Sequence, residues 1–298
     1  MNDYILSCCS TVDISEDKLK ALDIRCLAFR YIINGKTFVD DFGKSLSYEA
    51  FYDAMAKGAV TSTSQINVSE YIDFFEPFLK AGRDILHIAF SGGLTGTVNS
   101  ARSAAAILAE SYPERTIHIV DSLAASVGYG LLMVKAGELR RDGMALEELR
   151  CWVEANKLNV QHWFFSTTLK YYVRGGRIPA AVGAVGGVLD ICPIMIVDEL
   201  GHIPVREKIR TKKKTMACMV ERMKENAESG TDYAGDCYIS HSAARKDAET
   251  LAAKIESEFP KLSGRIEIND MGAIIGSHAG PGTVGLVYWG KKRGSVET

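Results

Sequence analysis

The sequence predicts an α/β protein with two domains, the first built around a parallel sheet flanked by helices and the second of the α+β type. Three observations predict this class. Buried-type apolar runs alternate with helix-like segments in the first half, as in parallel strands joined by helices. Two of those runs continue directly into small-residue loops, SGGLTGT and LAASVGYG. Beyond about residue 158 an apparent antiparallel hairpin interrupts the alternation.

The first domain is expected to span residues 1–157. Apolar periodicity and turn residues predict a strand at 3–8, a hairpin insertion at about 24–40 that turns at Asn-Gly, helices at 48–58 and 68–82, strands at 84–90 and 116–122, and a helix at 145–157. A helix also follows each of the two small-residue loops. Ligands of such sheets collect at the carboxyl ends of the strands, so both loops are expected to face one crevice.

The second domain is expected to span residues 158–298. The same signals predict a strand at 160–166, a hairpin at 192–210 that turns at Glu-Leu-Gly-His, helices at 212–227 and 243–257, and strands at 236–241, 265–270 and 284–290. No Pro-rich or Ser-rich linker marks the join. The two domains are therefore expected to pack closely.

The composition excludes several classes of partner. The chain has 298 residues, of which 47% are hydrophobic and 24% charged, and its net charge is -2, so no nucleic acid partner is expected. No run approaches the roughly 18–20 apolar residues that span a bilayer, so no integral membrane segment is expected. Seven cysteines, an odd number without a CxxC spacing, indicate reduced thiols in a cytoplasmic protein and no metal site.

The loop at residues 91–97, SGGLTGT, has the composition of an anion socket. It lacks the Lys of a Walker A loop, the glycine spacing of a dinucleotide fingerprint and the GxSxG of a nucleophile elbow. Glycines expose backbone N–H groups, Thr95 and Thr97 add hydroxyls, and a helix N-terminus attracts anions. The alternative is a plain helix cap, in which Thr97 caps a helix that begins at Val98 or Asn99.

Two further segments are candidates for the same ligand. TSTSQ at 61–65, interpreted as a loop between two helices, offers hydroxyls to a carboxylate, but it also fits an ordinary loop. GSHAGPGTVG at 276–285 places His278 among small residues, where it is either a proton carrier or an incidental histidine in a flexible turn. Arg174, beside Gly175, suits anion recognition but equally a helix end at the surface.

Six motifs occur in the order found in the DegV family, which this chain resembles over nearly its whole length. They are TSQ at 63–65, SGGLTGT at 91–97, DS at 121–122 with SxGxG at 126–130, LxxxxRGGRI at 169–178, RT at 210–211 and GSHAGPGTVGL at 276–286. The resemblance implies the two-domain DegV architecture, with a fatty acid between the domains and its carboxylate at the loops.

The resemblance also implies roles for individual residues. Thr63, Thr95 and the Gly96 N–H would bind the lipid carboxylate, and a secondary set would lie nearby: Ser64, Ser126, His278 and Gly280. Arg210 and His278 would present the carboxylate to a separate kinase that makes an acyl phosphate. The chain departs from the family pattern at Cys9, which replaces an Asp, at Gly92, which replaces a Ser, and at Thr95, which replaces a Ser but keeps the hydroxyl.

The function expected from these observations is that of a carrier for a long-chain fatty acid, not of an enzyme. It would need no cofactor and no metal, and its partners would be the lipid and an ATP-dependent fatty acid kinase. The small apolar stretch at residues 180–190 would leave room for the acyl chain. One alternative is an acyl hydrolase that uses a loop hydroxyl with His278, and another is a regulatory module that retains the lipid site.

Overall fold

The computed structural model describes residues 4–183 and 191–294. In chain order, the strands are β1 (Tyr4–Cys9), β2 (Ile24–Leu27), β3 (Arg30–Ile33), β4 (Lys36–Val39), β5 (Thr61–Ser64), β6 (Asp84–Ala89), β7 (Ile117–Asp121), β8 (Val160–Ser166), β9 (Ile191–Ile196), β10 (Val205–Arg210), β11 (Cys237–His241), β12 (Glu267–Asp270) and β13 (Thr283–Trp289). The helices are α1 (Glu16–Ala21), α2 (Tyr48–Ala56), α3 (Val68–Lys80), α4 (Thr97–Ser111), α5 (Ser126–Arg141), α6 (Leu146–Asn156), α7 (Lys170–Arg174), α8 (Ala180–Gly183), α9 (Lys212–Asn226), α10 (Arg245–Glu258) and α11 (Ala273–Ala279).

The first sheet is parallel throughout, with the strand order β2-β1-β6-β7. Helices α3 and α4 pack on β6, while α4 and α6 pack on β7. Helix α3 buries Tyr71, Phe75 and Leu79 on one face, and Asn67 and Glu70 form a capping box at its start. The prediction of a parallel, helix-flanked sheet is therefore confirmed.

A second, three-stranded sheet has the order β4-β3-β5. The hairpin turn at Asn34 and Gly35 is confirmed, and both residues have positive φ angles of 50° and 80°, which suit Asn-Gly turns. The hairpin does not cover the whole predicted range of about 24–40, because the chain changes sheets between β2 and β3 and only β3 and β4 form the hairpin. At the change, the Phe29 N–H donates to Ser10 Oγ at 3.1 Å.

The loop predicted at TSTSQ is also wrong, because residues 61–64 form β5, which pairs antiparallel with β3. The two threonines of this strand point toward the protein, while Ser62 and Ser64 are exposed. This alternation is the period of two of a half-buried strand, and β-branched threonine favours strands.

The third sheet has the order β10-β9-β8-β13-β11-β12, in which only β11 and β12 pair parallel. The predicted hairpin is confirmed as β9 and β10. Helices α9 and α10 cover one face of the sheet, and α5 contacts β8, β11 and β13. The two-domain α/β fold class is thus confirmed, with a mixed sheet separate from the parallel one.

A boundary at residues 157 and 158 stays a prediction. We propose it because the connection from α6 to β8 separates the strands of the first two sheets from those of the third. Every helix within residues 4–183 and 191–294 is too short or too polar to cross a membrane.

Candidate ligand-binding site

A cavity of about 440 Å³ lies among the loop at 91–96, strand β5, helix α11 and the third sheet. Much of its wall is apolar, and the wall includes Phe29, Phe90, Leu94, Phe164, Ile274 and Val287. Thr63, Gln65, Thr95, Gly96 and His278 also line it. A cavity of this volume, mostly apolar with a few polar groups, has the character of a small-molecule site.

The loop at 91–97 brings the N-terminus of α4 to the cavity. The Leu94 and Thr95 N–H groups donate to the Ser91 carbonyl, which closes a turn before the helix. Helix α4 begins at Thr97, its N-cap residue is Gly96, and no side chain caps it. The alternative in which Thr97 caps a helix starting at Val98 or Asn99 is therefore wrong. Thr95 Oγ1 instead lies 3.0 Å from Thr97 Oγ1.

Gly96 presents its backbone to the cavity. Among the residues that the structure describes, none accepts a hydrogen bond from the Gly96 N–H. An added Cβ would lie 2.7 Å from Gln65 Oε1, so only glycine fits there without moving that side chain. The unpaired N–H and the positive end of the helix dipole together favour an anion at this end of the cavity.

His278 lies on helix α11, not in the flexible turn considered from the sequence. Its Nε2 atom is 2.8 Å from Thr63 Oγ1 on β5. Gly276, in the middle of α11, allows the helix to approach Tyr52, whose hydroxyl would lie 2.4 Å from an added Cβ. The glycine therefore serves close packing of the helix.

The surroundings of His278 keep its ring neutral at pH 7. Burial, reinforced by the positive charges of Arg177 and Arg174, lowers the pKa of His278 to about 4. Its Nδ1 atom is buried without a hydrogen-bond partner within the described ranges. Arg174 is exposed, as its surface interpretation predicts, yet it donates to Thr61 Oγ1 at 2.9 Å.

Gly175 lies against the Nδ1 side of the His278 ring, where a larger residue would not fit. A Cβ at Gly175 would lie 2.2 Å from His278 Nδ1. We expect Gly175→Ala to displace the ring from Thr63 and to lower the free energy of unfolding by about 1–3 kcal/mol through overpacking. Chemical denaturation and the NMR shifts of the His278 ring measure the two effects.

Gly176→Ala is the matched control. An added Cβ at Gly176 meets nothing within 4 Å, although its φ of +72° disfavours alanine. The control should destabilise the fold without moving the His278 resonances. Equal shifts in both variants would contradict the role given to Gly175.

Ser126 lines the cavity and is bonded to a buried carboxyl. Its hydroxyl donates to Asp13 Oδ2 at 2.5 Å, and the Gly272 N–H donates to Asp13 Oδ1 at 3.0 Å. Burial raises the pKa of Asp13 to about 8, even though both hydrogen bonds act to lower it. Asp13 thus connects the loop before α5 with the start of α11.

Three of the residues implied by the resemblance do not line the cavity. Ser64 is exposed on β5, and Arg210 is exposed at the end of β10. Gly280 is buried just beyond α11 with a φ of 70°, and its carbonyl accepts from Ser242 Oγ at 2.5 Å. Thr63, Thr95, Gly96, Ser126 and His278 are the ones that the fold brings together.

Two of the departures from the family pattern, Cys9 and Gly92, have surroundings that the structure makes clear. The Cys9 N–H donates to the Tyr129 hydroxyl at 2.9 Å, and its sulfur lies 3.4 Å from the Tyr71 hydroxyl. Burial raises the pKa of the Cys9 thiol to about 12, so it is uncharged. At Gly92, an added Cβ would lie 2.5 Å from Asp121 Oδ2, which leaves no room for a larger residue without a shift.

Sequence reasoning missed several residues at the site. Arg177, His162, Ser240 and Gly285 all line the cavity, and Asp13 supports Ser126. Asp13, His162 and Ser240 stand outside the segments that the sequence singled out, whereas Gly285 and Arg177 lie in two of those segments, where no role was expected of them. The stretch at 180–190 was expected to leave room for the acyl chain, but residues 184–190 of it lie outside the described residues. Within the described ranges, no three His, Cys, Asp or Glu side chains are arranged to hold a metal ion.

The fold and the site define a class: two-domain α/β proteins with an apolar cavity that is polar at one end. Residues 9–291 match the DegV family, described as uncharacterised proteins. A DegV domain-containing protein of Clostridium perfringens is 34% identical over 290 residues, which cover 97% of this chain and 98% of that relative. The chain therefore belongs to the DegV family.

Solved structures of two fatty-acid-binding members of the family are similar to this chain. That of Thermus thermophilus has a TM-score of 0.83 at 25% identity, covering 97% of this chain and 100% of that one. That of Streptococcus agalactiae has a TM-score of 0.84 at 26% identity, covering 98% and 100%.

Proposed function

We propose that this chain binds a long-chain fatty acid in the cavity and presents its carboxylate to a separate ATP-dependent fatty acid kinase for acyl-phosphate formation. The observation that carries the proposal is the polarity of the cavity. Two hydroxyls and a free N–H meet at the end of a helix, while much of the remaining wall is apolar. The similarity to fatty-acid-binding DegV proteins supports the same ligand.

The carboxylate would lie among Thr63, Thr95 and the Gly96 N–H. A carboxylate that leaves water must keep its hydrogen bonds, and these three donors, two of them at the N-terminus of α4 and one on β5, would meet that need. His278 would remain beside Thr63, where the positive charges of Arg174 and Arg177 lie close enough to affect its pKa. These two arginines therefore add a favourable field for an anion.

The acyl chain would extend along the apolar wall. Each buried CH₂ contributes about 0.8 kcal/mol, so a long chain supplies most of the affinity without charged contacts. Phe29 and Phe90 pack edge to face with centroids 6.4 Å apart and form part of this wall.

Lipid extraction of the protein purified from a bacterial host tests the proposal. Native mass spectrometry should show the added mass of a fatty acid that organic solvent removes. A protein that carries no lipid and does not bind a labelled fatty acid would rule the proposal out. Addition of ATP and a fatty acid kinase should then convert the bound lipid to acyl phosphate, a product that the chain alone should not form.

Arg210 provides a test of the kinase step by itself. It is exposed and lies outside the cavity lining, so we expect Arg210→Ala to leave fatty acid affinity within about twofold. Kinase-dependent acyl-phosphate formation should fall about tenfold, as for loss of one favourable charge contact between proteins.

The matched control is Lys213→Ala, which removes another exposed cation three residues away. It should alter the phosphorylation rate less than the Arg210 variant does. If both variants lose the same activity, the effect reflects general surface charge, and Arg210 has no particular role.

An acyl hydrolase is the alternative that one contact favours, namely the 2.8 Å between Thr63 Oγ1 and His278 Nε2. A hydroxyl nucleophile needs a histidine base that a third group orients. Within the described ranges, however, nothing bonds to His278 Nδ1. Labelling of Thr63 by a fluorophosphonate, with turnover of acyl esters, would support the hydrolase.

A further inference from the structure

The floor of the cavity contains a notch on the third sheet. Phe164 on β8, Gly285 on β13 and Ser240 on β11 lie side by side in register, and all three line the cavity. Gly285 has no side chain, so its neighbours are separated there by a gap about the size of one atom. An added Cβ there would lie 3.0 Å from Ser240 Oγ and 3.6 Å from Phe164 Cβ.

The Ser240 hydroxyl faces this notch without a partner. Ser240 is 2% exposed, and no residue in the described part of the chain makes a hydrogen bond with its side chain. His162, the other polar side chain on this part of the floor, differs in this respect. Its Nδ1 atom lies 3.1 Å from the Val160 carbonyl, and its Nε2 atom accepts the Ala125 N–H at 3.5 Å.

The notch lies away from the proposed carboxylate position. Met271, whose methyl group would lie 3.7 Å from a Cβ at Gly285, precedes α11, while His278 stands near the end of that helix. His278 is five residues beyond Ala273, the first residue of α11, which corresponds to a rise of roughly 7–8 Å along the helix. We therefore expect Ser240 to face the acyl chain and not the head group.

We propose that Ser240 and Gly285 form a subsite for a hydroxyl substituent on the acyl chain, so that the preferred ligand is a monohydroxylated fatty acid. This inference rests on the proposed function. A hydroxyl that enters an apolar cavity loses its bonds to water, and so does the Ser240 hydroxyl when a chain covers it. A bond between the two satisfies both, and the missing side chain of Gly285 provides the volume.

Competition binding tests the subsite. Stearate and hydroxystearates with the hydroxyl near the carboxyl end, at mid-chain and at the terminal carbon would displace a fluorescent fatty acid. One positional isomer should bind about three- to tenfold more tightly than stearate, the range of one net hydrogen bond. The Ser240→Ala variant should bind that isomer and stearate equally.

Ser166→Ala is the matched control, because Ser166 is a buried serine of β8 outside the lining whose hydroxyl donates to the Thr168 carbonyl at 2.9 Å. It should keep the preference. Gly285→Ala, which fills the notch, should reduce the preference while stearate still binds.

The outcomes separate this inference from the proposed function. Equal binding of stearate and every hydroxystearate by the unaltered protein, or a preference that persists in Ser240→Ala, overturns the subsite and leaves fatty acid binding in place. Failure of the protein to bind any of the acids overturns the proposed function, and the subsite with it.

Discussion

Thr95→Val should weaken fatty acid binding about 10- to 100-fold, because hydrogen bonds to a charged group contribute about 1.5–3 kcal/mol. Valine has nearly the shape of threonine but cannot donate. The hydroxyl of Thr95 stands 3.0 Å from that of Thr97, next to the uncapped start of α4. Titration with a fluorescent fatty acid measures the change.

Thr63→Val should weaken binding at least as much, because it also removes the partner of His278 Nε2. The double variant should lose more affinity than either single one. Thr95→Ser keeps the hydroxyl and should bind like the unaltered protein, as should Ser62→Ala, which changes an exposed residue of β5. If Thr95→Val and Thr95→Ser bind alike, the carboxylate lies elsewhere.

Asp13→Asn should stabilise the protein above neutral pH. Burial raises the pKa of Asp13 to about 8, whereas an unfolded Asp titrates near 3.9. Because the pKa rises on folding, the protonated carboxyl stabilises the folded state. This stabilisation is complete below about pH 4 and is lost as pH rises through about 8. Asparagine removes this dependence, so unfolding at pH 8 should require a free energy larger by a few kcal/mol.

Asparagine also keeps the contacts of Asp13. Its oxygen can accept the Gly272 N–H, its amide can donate to the Ser126 hydroxyl, and it tolerates the φ of 50°. Thermal unfolding should therefore show a melting temperature about 5 °C or more above that of the unaltered protein at pH 8, and convergence toward pH 4. If the melting temperature of Asp13→Asn falls from pH 4 to pH 8 as steeply as that of the unaltered protein, the prediction is wrong.

Asp13→Ala is the contrasting variant, because alanine leaves the Gly272 N–H and the Ser126 hydroxyl without partners. It should lower the melting temperature most near pH 4 and less toward pH 8, where the unaltered protein itself is destabilised by the buried carboxylate. Burial also raises the pKa of Asp40 to about 7. The free energy of unfolding of both variants should therefore still fall as pH rises, but by less than in the unaltered protein.

Much of the fold could be predicted from local patterns. The alternation of buried strands with helices identified the parallel sheet, and Asn34-Gly35 identified a hairpin turn, because both signals are local. The change of sheets between β2 and β3 was not predictable, since an apolar run has the same appearance whether it feeds one sheet or two. Strand β5 was missed because hydroxyl residues are typical of loops.

The site was only partly predictable for a related reason. Thr95 and Gly96 stand in a loop whose composition identifies it, but the contact between Thr63 and His278 joins residues 215 positions apart in the sequence. Helix α11, which carries His278, was not predicted, because the close packing of Gly276 against Tyr52 joins it to a helix distant in the sequence. Asp13 carried no signal at all, because its burial depends on residues from both halves of the chain.

That long-range contact also affects how the protein is made. Thr63 and Thr95 are synthesised before His278 and α11. A nascent chain that still lacks α11 therefore lacks part of the cavity wall. A lipid bound as we propose would contact residues of both halves, so by mass action it should make their unfolding more cooperative as its concentration rises.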